Sequence, residues 1–323
     1  MSEPVLSLRD LRVTFRTPNG PVSAVRGVDL DVLPGEVVGI VGESGSGKSV
    51  SFLAMMGLLP RTATVTGSAK VAGIELVGAS RRTLNSVRGK KAAMIFQDPL
   101  SALNPVHRIG DQIVEMIEAH QKITGNAAAR RAVELLDVVG IPQPDQRARQ
   151  YPHEFSGGMR QRVMIAMAIA NDPSVLIADE PTTALDVTVQ AQILEVIEKI
   201  RQTLGTAVVL ITHDLGVVAR VADRVQVMYA GRAVERANVM KIFDHPNHPY
   251  TYGLLSSLPT SGRGRLMPIA GSPPNMLRPP SGCAFRTRCT FAIDECAMEL
   301  PELMPIGGSE SACIRAADLE LQR

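Results

Sequence analysis

Val37-Val38-Gly39-Ile40-Val41-Gly42-Glu43-Ser44-Gly45-Ser46-Gly47-Lys48-Ser49 joins a short apolar run to a complete G-x-x-x-x-G-K-[ST] loop. The order decides the reading. A buried strand delivers the chain into a glycine-rich turn, and Ser49-Val50-Ser51-Phe52-Leu53 then starts a helix. Backbone N–H groups of the turn and of the helix N-terminus converge on one small cavity, which is an anion site. Gly42, Gly45 and Gly47 permit backbone angles and close approaches that a β-carbon would block. Lys48 is placed to reach β- and γ-phosphates, and the Ser49 hydroxyl to coordinate Mg²⁺. A glycine-rich turn with a chance lysine would lack the flanking strand and helix, so the expectation is a nucleoside triphosphate site.

Working outward, 323 residues exceed one ordinary core and suggest a large domain with an appendage, or two domains. The hydrophobic share of 45% suits a globular protein. A net charge of +2 gives no reason to expect a nucleic-acid partner, and the basic stretch from Arg81 to Lys91 reads as a solvated face. The best apolar run, Val163 to Ala170, is far too short to span a bilayer. Met1-Ser2-Glu3-Pro4 lacks a basic n-region and an apolar h-region. The expectation is a cytosolic chain whose membrane contact comes through partners.

Residues 5–15 alternate as a strand, Thr17-Pro18-Asn19-Gly20 marks a turn, and 22–32 reads as a second strand. Further β structure is expected over 65–77 and 92–96. From Arg108 to about Gly140 the spacing predicts helix. Val175-Leu176-Ile177-Ala178 and Ala207-Val208-Val209-Leu210-Ile211 read as parallel strands buried on both faces, with helix over 189–204 between them. After about residue 262 the composition turns to Gly, Pro and Ser, a linker leading to a tail with every cysteine of the chain.

The strand 175–178 ends in Asp179-Glu180. At the C-terminal end of a parallel strand both carboxylates can turn toward a ligand. Asp179 suits the Mg²⁺ shell, and Glu180 suits a base that polarises an attacking water. Between these and the phosphate loop lies Phe155-Ser156-Gly157-Gly158-Met159-Arg160, where a serine and two glycines open an apolar helix. Alone, that is as well explained by a serine cap as by an anion site.

Its company decides it: Ile95-Phe96-Gln97-Asp98 upstream, Ala184-Leu185-Asp186 after the paired acids, and Ile211-Thr212-His213-Asp214 after the next strand. Over residues 5–240 the chain resembles the ATP-binding cassette ATPases. The resemblance implies an α/β fold: a RecA-like P-loop core with an antiparallel β subdomain and a helical insert near 98–165. It implies that Gly42 to Val50 wrap ATP, with Phe15 either stacking on adenine or serving the core. Ser49, Gln97 and Asp179 would serve Mg²⁺, and Glu180 with His213 hydrolysis. Gln97 is the family's Q-loop residue and Asp186 its D-loop residue. Ser156, Gly157, Gly158 and Met159 match the signature that meets ATP bound to a partner cassette. Phe155 and Met159 depart from the family's usual Leu and Gln without removing the serine or glycines.

The segments 38–44, 96–105 and 179–186, with His248-Pro249-Tyr250-Thr251 and Leu254-Leu255, narrow the resemblance to the D-type ATPases of dipeptide/oligopeptide permeases. That implies ATP hydrolysis driving peptide import, with a same-family importer of nickel or another small solute as the alternative. The partners implied are a second, F-type ATPase, two transmembrane permease subunits and an extracytoplasmic substrate-binding protein. The place implied is the cytoplasmic face of the inner membrane, held peripherally. The division expected is a cassette over 1–260 and a linker with a four-cysteine region over 261–323.

Cys283, Cys289, Cys296 and Cys313 follow 282 residues without a cysteine, spaced C-x₅-C-x₆-C-x₁₆-C. A disulfide framework is disfavoured in the cytosol. Structural zinc usually starts from a C-x₂₋₄-C chelate, which is absent. Four thiolates suit a [4Fe–4S] cluster, and tails of this kind in the permease ATPases are associated with one. The ranking expected is cluster, then zinc, then plain buried cysteines.

Overall fold

The computed structural model describes residues 3–183, 185–258 and 269–321. Ala184 and the start of the expected linker, residues 259–268, lie outside the described residues. The chain runs β1 (Leu6–Thr17), β2 (Gly20–Val32), β3 (Val37–Val41), α1 (Lys48–Met55), β4 (Ala63–Val71), β5 (Ile74–Glu75), α2 (Arg81–Val87) and β6 (Ala92–Ile95). Helices α3 (Pro99–Ala102), α4 (Ile109–Glu118), α5 (Asn126–Val138), α6 (Pro144–Arg147) and α7 (Gly157–Ile169) follow. Next come β7 (Val175–Asp179), α8 (Val187–Leu204), β8 (Ala207–Thr212), α9 (Leu215–Val221), β9 (Arg224–Tyr229) and β10 (Arg232–Asn238). Helices α10 (Val239–Asp244) and α11 (Pro249–Ser256) precede the hairpin β11 (Met304–Ile306) and β12 (Ser309–Ser311).

Two sheets organise these elements. One is antiparallel, ordered β2-β1-β4-β5; the other is ordered β11-β12-β10-β9-β3-β8-β7-β6. Within the second, β9, β3, β8, β7 and β6 are mutually parallel. Their side chains alternate between two cores, as the two-residue period of a strand requires. Val37, Val41, Leu176, Ala178, Val208 and Leu210 face one core with α4, α5, α7 and α8. Val38, Ile40, Val175, Ile177, Val209 and Ile211 face the other, with α1 and the antiparallel sheet.

The helical stretch expected from 108 to 140 is two helices. The first ends at Glu118, and the second starts after Gly125 (φ 59°, ψ −130°), whose N–H donates to Glu118 Oε1 at 3.0 Å. Ile113 and Ile117 on α4, and Ala132, Leu135 and Leu136 on α5, all enter the same core. Periodicity alone therefore reads straight across the break.

The C-terminal region is ordered by docking. Strand β12 pairs with β10 through Glu235↔Ser311 and Arg236↔Glu310, and Arg236 forms an ion pair with Glu310 at 3.0 Å. Phe285, 3% exposed, packs against both the Tyr229 and Tyr250 rings at centroid distances of 5.3 Å to each. No helix among the described residues is long and apolar enough to cross a membrane.

Candidate nucleotide site

The phosphate loop leaves β3 at the C-terminal edge of the parallel strands, where ligands bind in open α/β sheets. Gly42 sits at φ 150°, and a Cβ there would fall 2.2 Å from the Met228 carbonyl oxygen, so no other residue fits. Lys48 opens α1 and is buried; its Nζ donates to the carbonyls of Gly42 at 2.6 Å and Glu43 at 3.0 Å. Burial lowers the Lys48 ammonium from its ordinary value, while the charges of Glu180, Asp179 and Glu43 pull it back up. Ser46 Oγ is buried and has no hydrogen-bond partner among the described residues.

Ser49 Oγ donates to Asp179 Oδ1 at 2.6 Å, joining the first turn of α1 to the end of β7. These are hard oxygen donors, and they stand beside a cradle of backbone amides. That set suits Mg²⁺ with a triphosphate better than a soft metal. Burial raises the Asp179 carboxyl; the Ser49 hydroxyl opposes this, the Glu180 charge adds to it, and Lys48 opposes it again.

Glu180 takes a left-handed backbone conformation, φ 48°, that non-glycine residues rarely adopt. On a straight strand, Asp179 and Glu180 would point to opposite faces. The kink sets Glu180 among other polar groups instead. Its Oε2 accepts from Thr183 Oγ1 at 2.7 Å and Gln97 Nε2 at 3.3 Å, and its Oε1 lies 3.3 Å from His213 Nδ1. Burial works to raise this carboxyl, but the Thr183 and His213 hydrogen bonds and the His213 and Lys48 charges prevail and lower it. Glu180 is thus held as a carboxylate, the form a general base needs. The arrangement can bind a magnesium nucleotide and deprotonate a water beside it.

The structure brings Lys48, Ser49, Gln97, Asp179, Glu180 and His213 together. Ser44 and Gly45 are exposed at the loop, and Val50 packs on the core beneath it. Phe15 is half-buried at the rim of that core, opposite Val22 and Ala63. The signature residues divide between the surface and the packing of α7, with Gly158 and Met159 half-buried. Ser156 caps α7 by accepting from the Met159 N–H at 3.4 Å, and Ser156 and Gly157 are exposed. A Cβ at Gly158 would fall 2.5 Å from Val189 Cγ1, so close packing of α7 on α8 requires glycine there as well. Phe155 is buried, with the Arg147 guanidinium over its ring at 5.8 Å. Asp186 caps α8, accepting from Thr188 and Val189 N–H groups at 3.1 and 3.0 Å.

Sequence reasoning missed two neighbours of the loop. Tyr250 Oη accepts from the Glu43 N–H at 2.8 Å, and Arg288 grips the Glu43 carboxylate with two nitrogens at 2.6 and 2.9 Å. The His-Pro-Tyr-Thr run singled out Tyr250 as a family mark, but nothing in its spacing connects it to residue 43.

The expected [4Fe–4S] cluster at Cys283, Cys289, Cys296 and Cys313 is not supported, and neither is zinc. Among the described residues no three His, Cys, Asp or Glu side chains are grouped to hold a metal ion. The four cysteines are free and line one void of about 20 Å³. Burial raises the thiols of Cys283 and Cys289, and that of Cys313 to about 11. Strand pairing to β10 and the burial of Phe285 order this region.

The fold and site define a P-loop nucleotide-binding cassette. Residues 25–183 match the family model described as ABC transporter, and 234–296 the one described as oligopeptide/dipeptide transporter, C-terminal region. The oligopeptide transport ATP-binding protein OppD of Mycobacterium tuberculosis is 56% identical over 317 residues, covering 97% of this chain and 52% of that protein. OppD of Bacillus subtilis is 53% identical over 294 residues, 90% of this chain and 82% of that protein. The dimeric post-hydrolysis structure of the ATP-binding cassette MJ0796 bound to ADP and Pi superposes with a TM-score of 0.65 at 27% identity, over 72% of this chain and 98% of that one. The chain belongs to the OppD/DppD family of oligopeptide and dipeptide transport ATP-binding proteins of ABC transporters. It spans about half the length of the mycobacterial relatives it matches.

Proposed function

We propose that this chain hydrolyses ATP to energise import of di- or oligopeptides through a multisubunit ABC transporter. The observation that carries the reading is the meeting of Ser49 with Asp179, and of Glu180 with Gln97 and His213, beside Lys48 at one sheet edge. Gly42 to Val50 wrap the phosphates, Phe15 stacks on adenine, and Ser49, Asp179 and Gln97 hold Mg²⁺. Bound Mg²⁺ would neutralise charge on the β- and γ-phosphates. Glu180 takes a proton from the attacking water, and His213 orients toward the γ-phosphate.

Ser156, Gly157, Gly158 and Met159 act on ATP held by a second cassette, the F-type subunit in this reading. The exposure of Ser156 and Gly157 supports that role, as does Val187, 81% exposed beside the D-loop Asp186. The other partners are two transmembrane permease subunits and an extracytoplasmic substrate-binding protein. The chain sits peripherally at the cytoplasmic face of the inner membrane. An apolar groove lined by Met94, Phe96, Met116, Met164 and Met167 adjoins Gln97 and suits a helical segment of a permease subunit. Residues 1–260 form the cassette, and residues 261–323 its linker and cysteine-containing appendage. The names of the relatives favour peptide over nickel as cargo.

The test is uptake by membrane vesicles holding the complex co-purified with this chain. Labelled peptide should enter only with binding protein and Mg·ATP. Uptake of nickel without peptide would overturn the cargo, and no Mg²⁺-dependent ATP hydrolysis would overturn the activity.

A further inference from the structure

Glu43, the second residue of the phosphate loop, is fixed at two points by residues more than 200 positions away. Its N–H donates to Tyr250 Oη at 2.8 Å, and its carboxylate receives a two-nitrogen grip from Arg288 at 2.6 and 2.9 Å. The Arg288 side chain is only 4% exposed. A guanidinium so deeply buried is costly unless fully paired. Its remaining hydrogen bonds go to Tyr229 Oη at 3.3 Å, the Ala270 carbonyl at 2.9 Å and the Ile269 carbonyl at 3.4 Å. The C-terminal region is already docked by β12 and by Phe285, so its attachment does not require a buried charge at the phosphate loop.

Charge offers a reason for one. Glu43 stands in the loop beside Lys48, whose Nζ donates to the Glu43 carbonyl at 3.0 Å, and Lys48 is the residue that meets a polyanion in the nucleotide reading. Asp179 and Glu180 have roles in the nucleotide reading, whereas Glu43 contributes only an opposing charge unless it is neutralised.

We propose that Arg288 and Tyr250 are positioning residues of the nucleotide site. Arg288 cancels and orients the Glu43 carboxylate, and Tyr250 anchors the Glu43 amide, so the C-terminal region sets the shape and charge of the phosphate loop. This rests on the reading of residues 42–49 as the triphosphate site. The clamp acts through Glu43 and touches neither the nucleotide nor the reacting atoms.

The test is the Mg·ATP affinity of the intact chain, with Lys48→Ala as the control. Arg288→Gln should weaken binding about tenfold, because it leaves the Glu43 carboxylate unpaired beside the phosphates. Adding Glu43→Gln should restore most of the loss, since two neutral amides can pair with each other. Arg288→Lys, which keeps the charge but not the fork, should fall between. Tyr250→Phe keeps the ring packing, removes one acceptor, and should weaken binding about threefold even if Arg288→Gln does not fold. Parent-like affinity in Arg288→Gln and Tyr250→Phe overturns the proposal. So does a loss in Arg288→Gln that Glu43→Gln fails to restore, which would mark a merely structural contact. If the parent and Lys48→Ala bind Mg·ATP equally, the nucleotide reading itself fails and the clamp with it.

Discussion

Ser49 and Asp179 stand 130 positions apart in sequence and 2.6 Å apart in space, hydroxyl to carboxylate. This contact closes the floor of the nucleotide site. Neither side chain can satisfy a divalent ion alone, and Mg²⁺ keeps most of its shell for water and phosphate oxygens. The pair therefore makes the site's dependence on Mg²⁺ testable.

Ser49→Ala should leave only Asp179 and Gln97 for Mg²⁺ and so bind ATP normally only at raised Mg²⁺. Asp179→Asn removes the charge as well and should not be rescued in this way. Titrating ATP affinity against Mg²⁺ in both variants checks the assignment. Equal Mg²⁺ dependence in the parent and both variants would be incompatible with it.

Glu180→Gln should retain ATP affinity and reduce turnover by about 10²-fold or more, since an amide cannot accept the water's proton. The Thr183 and Gln97 contacts can persist with a neutral partner, so the kinked backbone should survive. Steady-state phosphate release from the assembled complex reads the effect. Parent-like release from this chain's own site would remove Glu180 from the role of base.

Ser156→Arg should spare ATP binding by the isolated chain but block hydrolysis of the ATP bound on the partner cassette. Ser156 is exposed and caps α7 through a 3.4 Å contact, so a cation there fills interface space and leaves the core intact. Site-resolved ATP trapping in the assembled pair would separate the two effects. Loss of affinity in the isolated chain would instead indicate a role in its own site.

Two buried groups behind the loop make opposite contributions to stability against pH. Burial raises the Glu235 carboxyl from an ordinary 4.5 to about 7, against hydrogen bonds from the Asn247 and His248 amides. Its contribution is therefore complete below about 4.5 and is lost as pH rises through 7. Burial lowers His248 from 6.5 to about 3, so its contribution is complete above 6.5 and is lost as pH falls through 3. The two slopes oppose each other between about 4.5 and 6.5. Glu235→Gln should remove one slope and gain stability relative to the parent across that range, on the order of 3 kcal/mol in full. Melting temperatures of both proteins from acid to neutral pH decide it, and parallel curves would contradict the assignment.

The sequence by itself determined the parallel strands, the phosphate loop, the paired acids and the serine-capped signature helix. Each is encoded locally: apolar runs too short for anything but buried strands, glycines at fixed offsets, a cap before a helical period. The segments 37–41, 175–179 and 207–212 could be read without partners because burial on both faces leaves a continuous apolar run. Only the tertiary structure decided what meets across distance. It set Gln97 and His213 on the two oxygens of Glu180, gave Glu180 its left-handed turn, and brought Arg288 and Tyr250 to Glu43. It also decided what orders the cysteine-containing region. The sequence shows four thiols there, which pointed to a metal. The pocket that accepts Phe285 is built from Tyr229 and Tyr250, on other elements, and no spacing rule connects them. Local patterns fix elements because hydrogen bonding and burial act on neighbours in the chain, whereas a side chain's partners follow from how the packed elements exclude water.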